Sequence, residues 1–246
     1  MRRRFFVDQV RNGHAEISGD EAKHLTRVLR VEAGQRYEIS DNQNVYLAEI
    51  ETARKEQVTF RTLEKLPVIE PPLRMILCAA LIKFDHFEWM IEKATELGVV
   101  EIVPVVTVRT ERGLDKAAHK RLERWRRIGV EASQQSRRAH LPAIAGPTAW
   151  ADALATEAQY RYALDENESR PLSSVLPSVR RAADAVALLI GPEGGWTDDE
   201  RHAFIASGWV AASLGPSILR AETAALAALA IVSASWQAHT VATLNS

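Results

Sequence analysis

A chain of 246 residues has room for one or two domains, and 46% hydrophobic residues supply a real core, which excludes a disordered polymer. The formal net charge of −1 gives no global bias toward polyanions, so any affinity for nucleic acid must come from a local patch. The one cysteine, Cys78, excludes an internal disulfide and reads as a small buried hydrophobe in the apolar run Met75–Ile82.

The start, Met1-Arg-Arg-Arg-Phe-Phe-Val, is basic but has neither an apolar h-region nor a small-residue cleavage site. No uninterrupted apolar stretch approaches about 18 residues, so no membrane-spanning helix and a cytoplasmic location are expected. Ser18 and Glu21 have capping-box spacing at the head of a short helix whose apolar stripe is Ala22, Leu25, Val28 and Leu29. Tyr37–Ser40, Val45–Ile50 and Gln57–Leu63 read as strands, the first two joined by the turn Asp41-Asn-Gln-Asn44. Closing so small a sheet into a barrel removes its edges. Glu64–Pro72 holds three prolines in nine residues and reads as an extended linker, which places a domain boundary there.

Beyond the linker, strands and helices alternate. Met75–Ile82 is an apolar strand. Asp85 is positioned to cap a helix with Phe87, Met90, Ile91, Ala94 and Leu97 on one face, closed by Gly98. Val99–Val106 is the next strand, and Leu114–Arg138 is one long basic helix or a pair. Arg161–Leu164, Ala185–Ile190 and Trp209–Leu214 complete the strands, and a last helix runs from Glu222 to Gln237. This alternation points to a parallel α/β sheet.

Two segments repeat one pattern: a strand ends in a Gly-Pro turn that leads into a helix. The first is Leu188-Leu-Ile-Gly-Pro-Glu-Gly-Gly-Trp-Thr-Asp-Asp-Glu200, with Thr197 as N-cap and Glu200 at capping-box spacing. The second is Ser213-Leu-Gly-Pro-Ser-Ile-Leu-Arg-Ala-Glu-Thr-Ala-Ala-Leu226, where Arg220 and Glu222 flank the helix start. Ligands of open α/β sheets bind beyond the carboxyl ends of strands, and glycines there let the main chain approach a ligand. Each segment taken singly also fits an ordinary strand-to-helix turn, and Arg220 with Glu222 also fits a surface ion pair at a helix start. A P-loop is absent, and no His/Cys/Asp cluster has metal-ligand spacing, so no metal is expected.

From Arg109 to Arg138 there are ten Lys/Arg against four Asp/Glu. Such a run is either a solvated helix face or a surface that neutralises phosphates. Arg2, Arg3, Arg4, Lys23, Arg27 and Arg30 add positive charge in the first domain.

The pair Gly191-Pro-Glu-Gly-Gly195 and Leu214-Gly-Pro-Ser-Ile-Leu-Arg-Ala-Glu-Thr-Ala224 resembles the signature of the ribosomal RNA uracil-N3 methyltransferase family, which belongs to the knotted SPOUT methyltransferases. The likeness runs over nearly the whole chain: Lys93-Ala-Thr-Glu-Leu-Gly-Val99, Thr110-Glu-Arg112, Arg124-Trp125, Glu131-Ala132 and Gln135 through Arg138. In the first domain His24-Leu25, Val28-Leu-Arg30 and Gly34 are similar to that family's PUA-like RNA-binding domain, where His24 reads as a helix-face residue and not a catalyst. The resemblance implies a PUA-like β-barrel over residues 1–70 and a SPOUT domain over 73–246 with a C-terminal trefoil knot, which residue patterns do not reveal. It further implies S-adenosylmethionine as methyl donor, small-subunit (16S) ribosomal RNA as substrate and a homodimer.

On that resemblance, Leu189, Ile190, Gly191, Pro192, Gly194, Gly195, Leu214, Gly215, Ser217, Ile218 and Leu219 are expected to hold the donor. Arg220 is the candidate for electrostatic stabilisation, with Glu193 or Glu222 as proton acceptor or as a group orienting Arg220. Arg2, Arg3, Arg4, Lys23, Arg27, Arg30, Lys83, Arg112 and Arg138 are the expected RNA contacts. Ser217 departs from the arginine usual in the family, and Phe84 stands where a glycine is usual. Two alternatives stay open: a SPOUT ribose 2′-O-methyltransferase, and a non-catalytic RNA-binding assembly factor.

Overall fold

The computed structural model describes residues 3–68 and 70–244, and the side chains as far as residue 237. The chain divides into two compact units, Met1–Glu70 with Val130–Leu141, and Pro71–Gly129 with Pro142–Ser246.

The first unit is built on five strands, β1 (Arg4–Phe6), β2 (His14–Ser18), β3 (Arg36–Ser40), β4 (Val45–Arg54) and β5 (Gln57–Leu66), with helix α1 (Gly19–Arg27) after β2. They form one sheet in the order β1-β3-β4-β5-β2. Register shifts at Leu47/Ala48 and Ile50/Thr52 curl the long β4–β5 pair, because an extra residue on one strand bends it. Phe5, Leu25, Ile39, Ile50, Val58 and Phe60 fill the concave side. β5 runs three residues past its expected end, taking Glu64–Leu66 from the linker, because the prolines that forbid pairing begin only at Pro67. Ile69, within that linker, lies outside the described residues.

The capping box expected at α1 does not form. Ser18 is still a ladder residue opposite Gln57, in extended geometry, and makes no side-chain cap bond. Glu21 instead accepts a hydrogen bond from Gln134 Nε2 at 2.8 Å.

The second unit carries β6 (Leu73–Ala80), α2 (Phe84–Glu96), β7 (Glu101–Val106), α3 (Leu114–His119) and α4 (Leu122–Gln135), whose last residues pass into the first unit. It continues with β8 (Ala143–Ile144), β9 (Thr148–Ala149), α5 (Trp150–Leu154), β10 (Tyr160–Leu164), α6 (Leu172–Val175), β11 (Asp184–Ile190), α7 (Asp198–Ala206), β12 (Val210–Ala212) and α8 (Ala221–Leu244). Every pairing in its sheet is parallel, in the order β12-β10-β11-β6-β7-β8, with β9 also on β7. The apolar runs that form β6 and β11 are central strands covered on both faces, whereas β12 lies at the edge of the sheet.

The helix after β6 starts at Phe84, with Lys83 at its N-cap, so Asp85 lies inside the first turn and does not cap it. Phe84, in place of the family's usual glycine, meets Trp125 edge-on at 6.0 Å and lies under the Arg121 guanidinium at 5.1 Å. The basic stretch is a pair of helices, α3 and α4. α8 packs Ala225, Ala228, Leu229, Val232 and Trp236 inward, and the Trp236 indole N–H donates to the buried Asp184 carboxylate at 3.0 Å. No helix among the described residues is long and apolar enough to cross a membrane.

Cys78 is fully buried in β6, and that burial pushes its thiol up to about 11. A raised pKa keeps the thiol protonated below that value, so the folded chain should resist alkylation at mildly alkaline pH and react only on denaturation. Mass spectrometry after iodoacetamide treatment, with and without denaturant, reads this directly; rapid labelling of the folded chain contradicts it.

Candidate functional site

β12, β10 and β11 are adjacent and parallel, so the loops leaving their carboxyl ends emerge along one sheet edge. Those three loops wall a cavity of about 530 Å³. After β10 come Asp165, Glu166, Glu168, Ser169 and Pro171; after β11 come Gly191, Pro192, Glu193, Gly195 and Trp196; after β12 come Ser213 through Leu219. The volume suits a nucleoside-sized ligand, within the roughly 300–1,000 Å³ usual for such sites.

Hydrogen bonds sew the three loops together. The buried Trp196 indole N–H donates to the Leu164 carbonyl at 2.8 Å, tying the β11 loop to the end of β10. The Asp165 N–H donates to Ala212 O, the Leu172 N–H to Ser213 O and the Ser213 N–H to Arg170 O, which tie β10 and its loop to β12. Gly195 at φ +69° and Gly215 at φ +113° hold backbone that residues with a Cβ rarely adopt, and a Cβ added at Gly215 would meet nothing within 4 Å. That open space lets main chain come close to a ligand.

The capping box at Thr197 is present: its hydroxyl accepts from the Glu200 N–H, and Glu200 Oε2 accepts from the Thr197 N–H at 2.9 Å. Glu200 Oε1 also accepts the Val108 N–H at 2.9 Å, so this buried carboxylate binds the loop after β7 to the head of α7. From that same loop Arg109 donates to the Gly194 carbonyl.

The charged side chains that line the cavity, Asp165, Glu166, Glu168 and Glu193, are all acidic. Asp165 is buried and paired with Arg201 Nε at 2.8 Å. The Arg170 guanidinium and the backbone N–H groups of Arg170 and Ser169 hold Glu168 down at about 2. Among the described residues no cluster of three or more His, Cys, Asp or Glu is arranged to hold a metal ion.

Of the expected donor-binding residues, Ile190, Gly191, Pro192, Gly195, Leu214, Gly215, Ser217, Ile218 and Leu219 line the cavity. Leu189 is buried within the sheet, and Gly194 is exposed beside the Arg109 side chain. Ser217, the departure from the family arginine, is an exposed neutral residue of the wall. Glu193 lines the cavity, and Arg220 is exposed, its carbonyl accepting from the Ala224 N–H. Glu222 is buried and sits 3.0 Å from His86 Nδ1, a partner on α2 that sequence spacing does not reveal. The β10 loop escaped sequence reading altogether; its trace there is Asp165-Glu-Asn-Glu168 directly after a strand, with no glycine to mark it.

In the first unit Arg3, Arg27 and Arg30 are exposed. Arg4 is committed to Glu38 at 2.7 Å and to the Arg137 carbonyl, and Lys23 to Asp20 at 2.9 Å. Arg138 is half-buried, which pushes it down to about 10. In the second unit Lys83 and Arg112 are exposed, whereas Arg121 and Arg124 are both turned to Glu88. Arg2 lies outside the described residues.

A family model for an RNA methyltransferase domain matches residues 69–233, and one for an RNA methyltransferase PUA domain matches residues 17–63. Ribosomal RNA small subunit methyltransferase E of Bacillus subtilis is 30% identical, over 94% of this chain and 95% of its own. The protein of that name from Synechocystis is 34% identical, over 92% of this chain and 75% of its own. Among solved structures, ribosomal RNA small subunit methyltransferase E from Neisseria gonorrhoeae, bound to S-adenosylmethionine, matches with a TM-score of 0.86 at 27% identity, over 96% of this chain and 98% of that one. A putative methyltransferase from Legionella pneumophila in complex with the same cofactor matches at 0.87 and 29% identity, over the same shares.

Glu200→Ala should leave the Val108 and Thr197 N–H groups without their acceptor and destabilise the chain by about 2–4 kcal/mol. Thermal unfolding monitored by circular dichroism measures the loss. A melting point equal to that of the parent chain contradicts the bridging role.

Proposed function

Because the chain belongs to the ribosomal RNA small subunit methyltransferase E family, we propose that it transfers a methyl group from S-adenosylmethionine to N3 of a specific uridine in small-subunit ribosomal RNA. The observation that carries this reading is the three-loop cavity at the ends of β12, β10 and β11. Its glycine backbone, volume and acidic wall fit an adenosyl group that bears a sulfonium. When bound, that donor supplies a reactive methyl carbon, so the chain's own work is to align the uracil, exclude water and manage one proton.

Uracil N3 carries that proton at neutral pH. Glu193, exposed on the cavity wall, is the better placed acceptor, because Glu222 is turned toward His86. Arg220, exposed beside the wall, is assigned to the charge that develops on the uracil carbonyls. Gly191, Gly195, Leu214, Gly215 and Leu219 are assigned to the donor. Arg3, Arg27 and Arg30 in the first unit, and Lys83 and Arg112 in the second, are assigned to phosphates.

The remaining architecture follows the same reading. The first unit acts as a PUA-like RNA-binding barrel, the three sewn loops belong to a SPOUT trefoil knot, and the chain works in the cytoplasm as a homodimer. Support for the dimer is α8, which leaves Ala230 exposed and Leu226, Ala227 and Ile231 only half-covered. Sedimentation at micromolar concentration should show a dimer; a fully active monomer counts against it.

Gly215→Leu forces a β-carbon onto φ +113° and should abolish donor binding in calorimetry while the fold survives. Undiminished binding places the donor elsewhere. Nucleoside digestion of methylated ribosomal RNA should yield 3-methyluridine. A 2′-O-methylated nucleoside favours the ribose reading, and absence of any donor heat in the parent chain favours the assembly factor.

A further inference from the structure

The cavity wall has one sign of charge. Asp165, Glu166, Glu168 and Glu193 line it, and among the described residues no lysine, arginine or histidine does. Two of these carboxylates are compensated from outside, Asp165 by Arg201 at 2.8 Å and Glu168 by Arg170 at 2.9 Å. Glu166 and Glu193 are exposed on the wall and have no ion-pair partner among the described residues. Glu166 leans onto the β11 loop, with Oε1 2.8 Å from where a Cβ on Gly195 would stand. Arg109 also approaches Gly195, with Nη1 3.8 Å from the same point, but it is engaged on the Gly194 carbonyl and does not line the cavity.

S-adenosylmethionine and its product, S-adenosylhomocysteine, share the nucleoside, the amino group and the carboxylate. They differ by one methyl and by one positive charge at sulfur. Methyl transfer breaks the carbon–sulfur bond with its electron pair left on sulfur, forms the carbon–nitrogen bond and releases the N3 proton to an acceptor. The ligand therefore loses its sulfonium charge in the step itself. Charges common to donor and product cancel in the comparison, so the fixed charge of the wall acts on the difference at sulfur.

We propose that Glu166 and Glu193 make the cavity select the charged donor over the neutral product, so that methyl transfer itself weakens binding and speeds product release. This rests on the cavity being the donor's seat. The two carboxylates are specificity-determining here, whatever Glu193 does with a proton.

Calorimetry on the full chain with donor and product separately tests it, comparing Glu166→Gln, Glu193→Gln and the double variant with the parent. Both side chains are exposed and glutamine is nearly isosteric, so folding should persist, which a thermal melt verifies. The donor-to-product affinity ratio should fall by roughly threefold to tenfold for each carboxylate neutralised, chiefly through weaker donor binding. Added salt should lower the ratio of the parent chain in the same direction. Gly215→Leu serves as the control that removes both ligands. A ratio unchanged in the double variant, with both ligands still lost in Gly215→Leu, overturns the selectivity while leaving the seat intact. Both ligands bound normally by Gly215→Leu overturn the seat, and the selectivity with it.

Discussion

Parallel pairing of β10 with both β12 and β11 is the constraint on which the site depends. Parallel neighbours send their carboxyl ends to one edge, so three loops far apart in the chain must share a small volume. Each loop carries backbone groups that water cannot fully reach, and they satisfy one another. Trp196 reaches the Leu164 carbonyl, and Asp165, Leu172 and Ser213 exchange bonds between the β10 and β12 segments. The β10 and β12 segments are thus held to each other by main chain, and the β11 loop is fastened to them by one buried side chain, Trp196.

Glu200 extends that frame outward. A buried carboxylate is tolerable when its oxygens accept hydrogen bonds, and here they hold both its own helix start and the loop after β7. The loop then returns a bond through Arg109 to Gly194. Backbone geometry at the glycines is accordingly set from two sides, by the sheet beneath and by a neighbouring loop.

Charge is partitioned by position. The wall of the cavity is acidic, while the exposed arginines and lysines lie off it. Much of the basic run between Arg109 and Arg138 is already partnered: Arg121 and Arg124 share Glu88, Arg126 meets Glu123, and Arg137 meets Glu38. Counting basic residues along the chain therefore overstates the free positive surface.

Features with a local cause were legible from residue order. Strands β6 and β11 appear as apolar runs, Gly-Pro turns follow β11 and β12, and Thr197 with Glu200 forms its capping box because both partners lie within one helical turn, whereas the two-residue strands β8 and β9 leave no such trace. The same spacing at Ser18 and Glu21 failed because Ser18 belongs to β2, a fact of pairing with Gln57 on another strand. Residue order likewise marked Glu222 as a charge at a helix start beside Arg220, but its partner His86 came from α2. The β10 loop entered the site only because its strand lies between β11 and β12. Compensation of Asp165 was decided the same way, by Arg201 reaching back to it, whereas Glu168 meets Arg170 only two residues along the chain. Torsional preference and helical capping act over a few residues and so are written in short stretches of chain. Cavity formation and ion pairs between residues far apart in the chain depend on distances through space, which the packing of strands and helices sets.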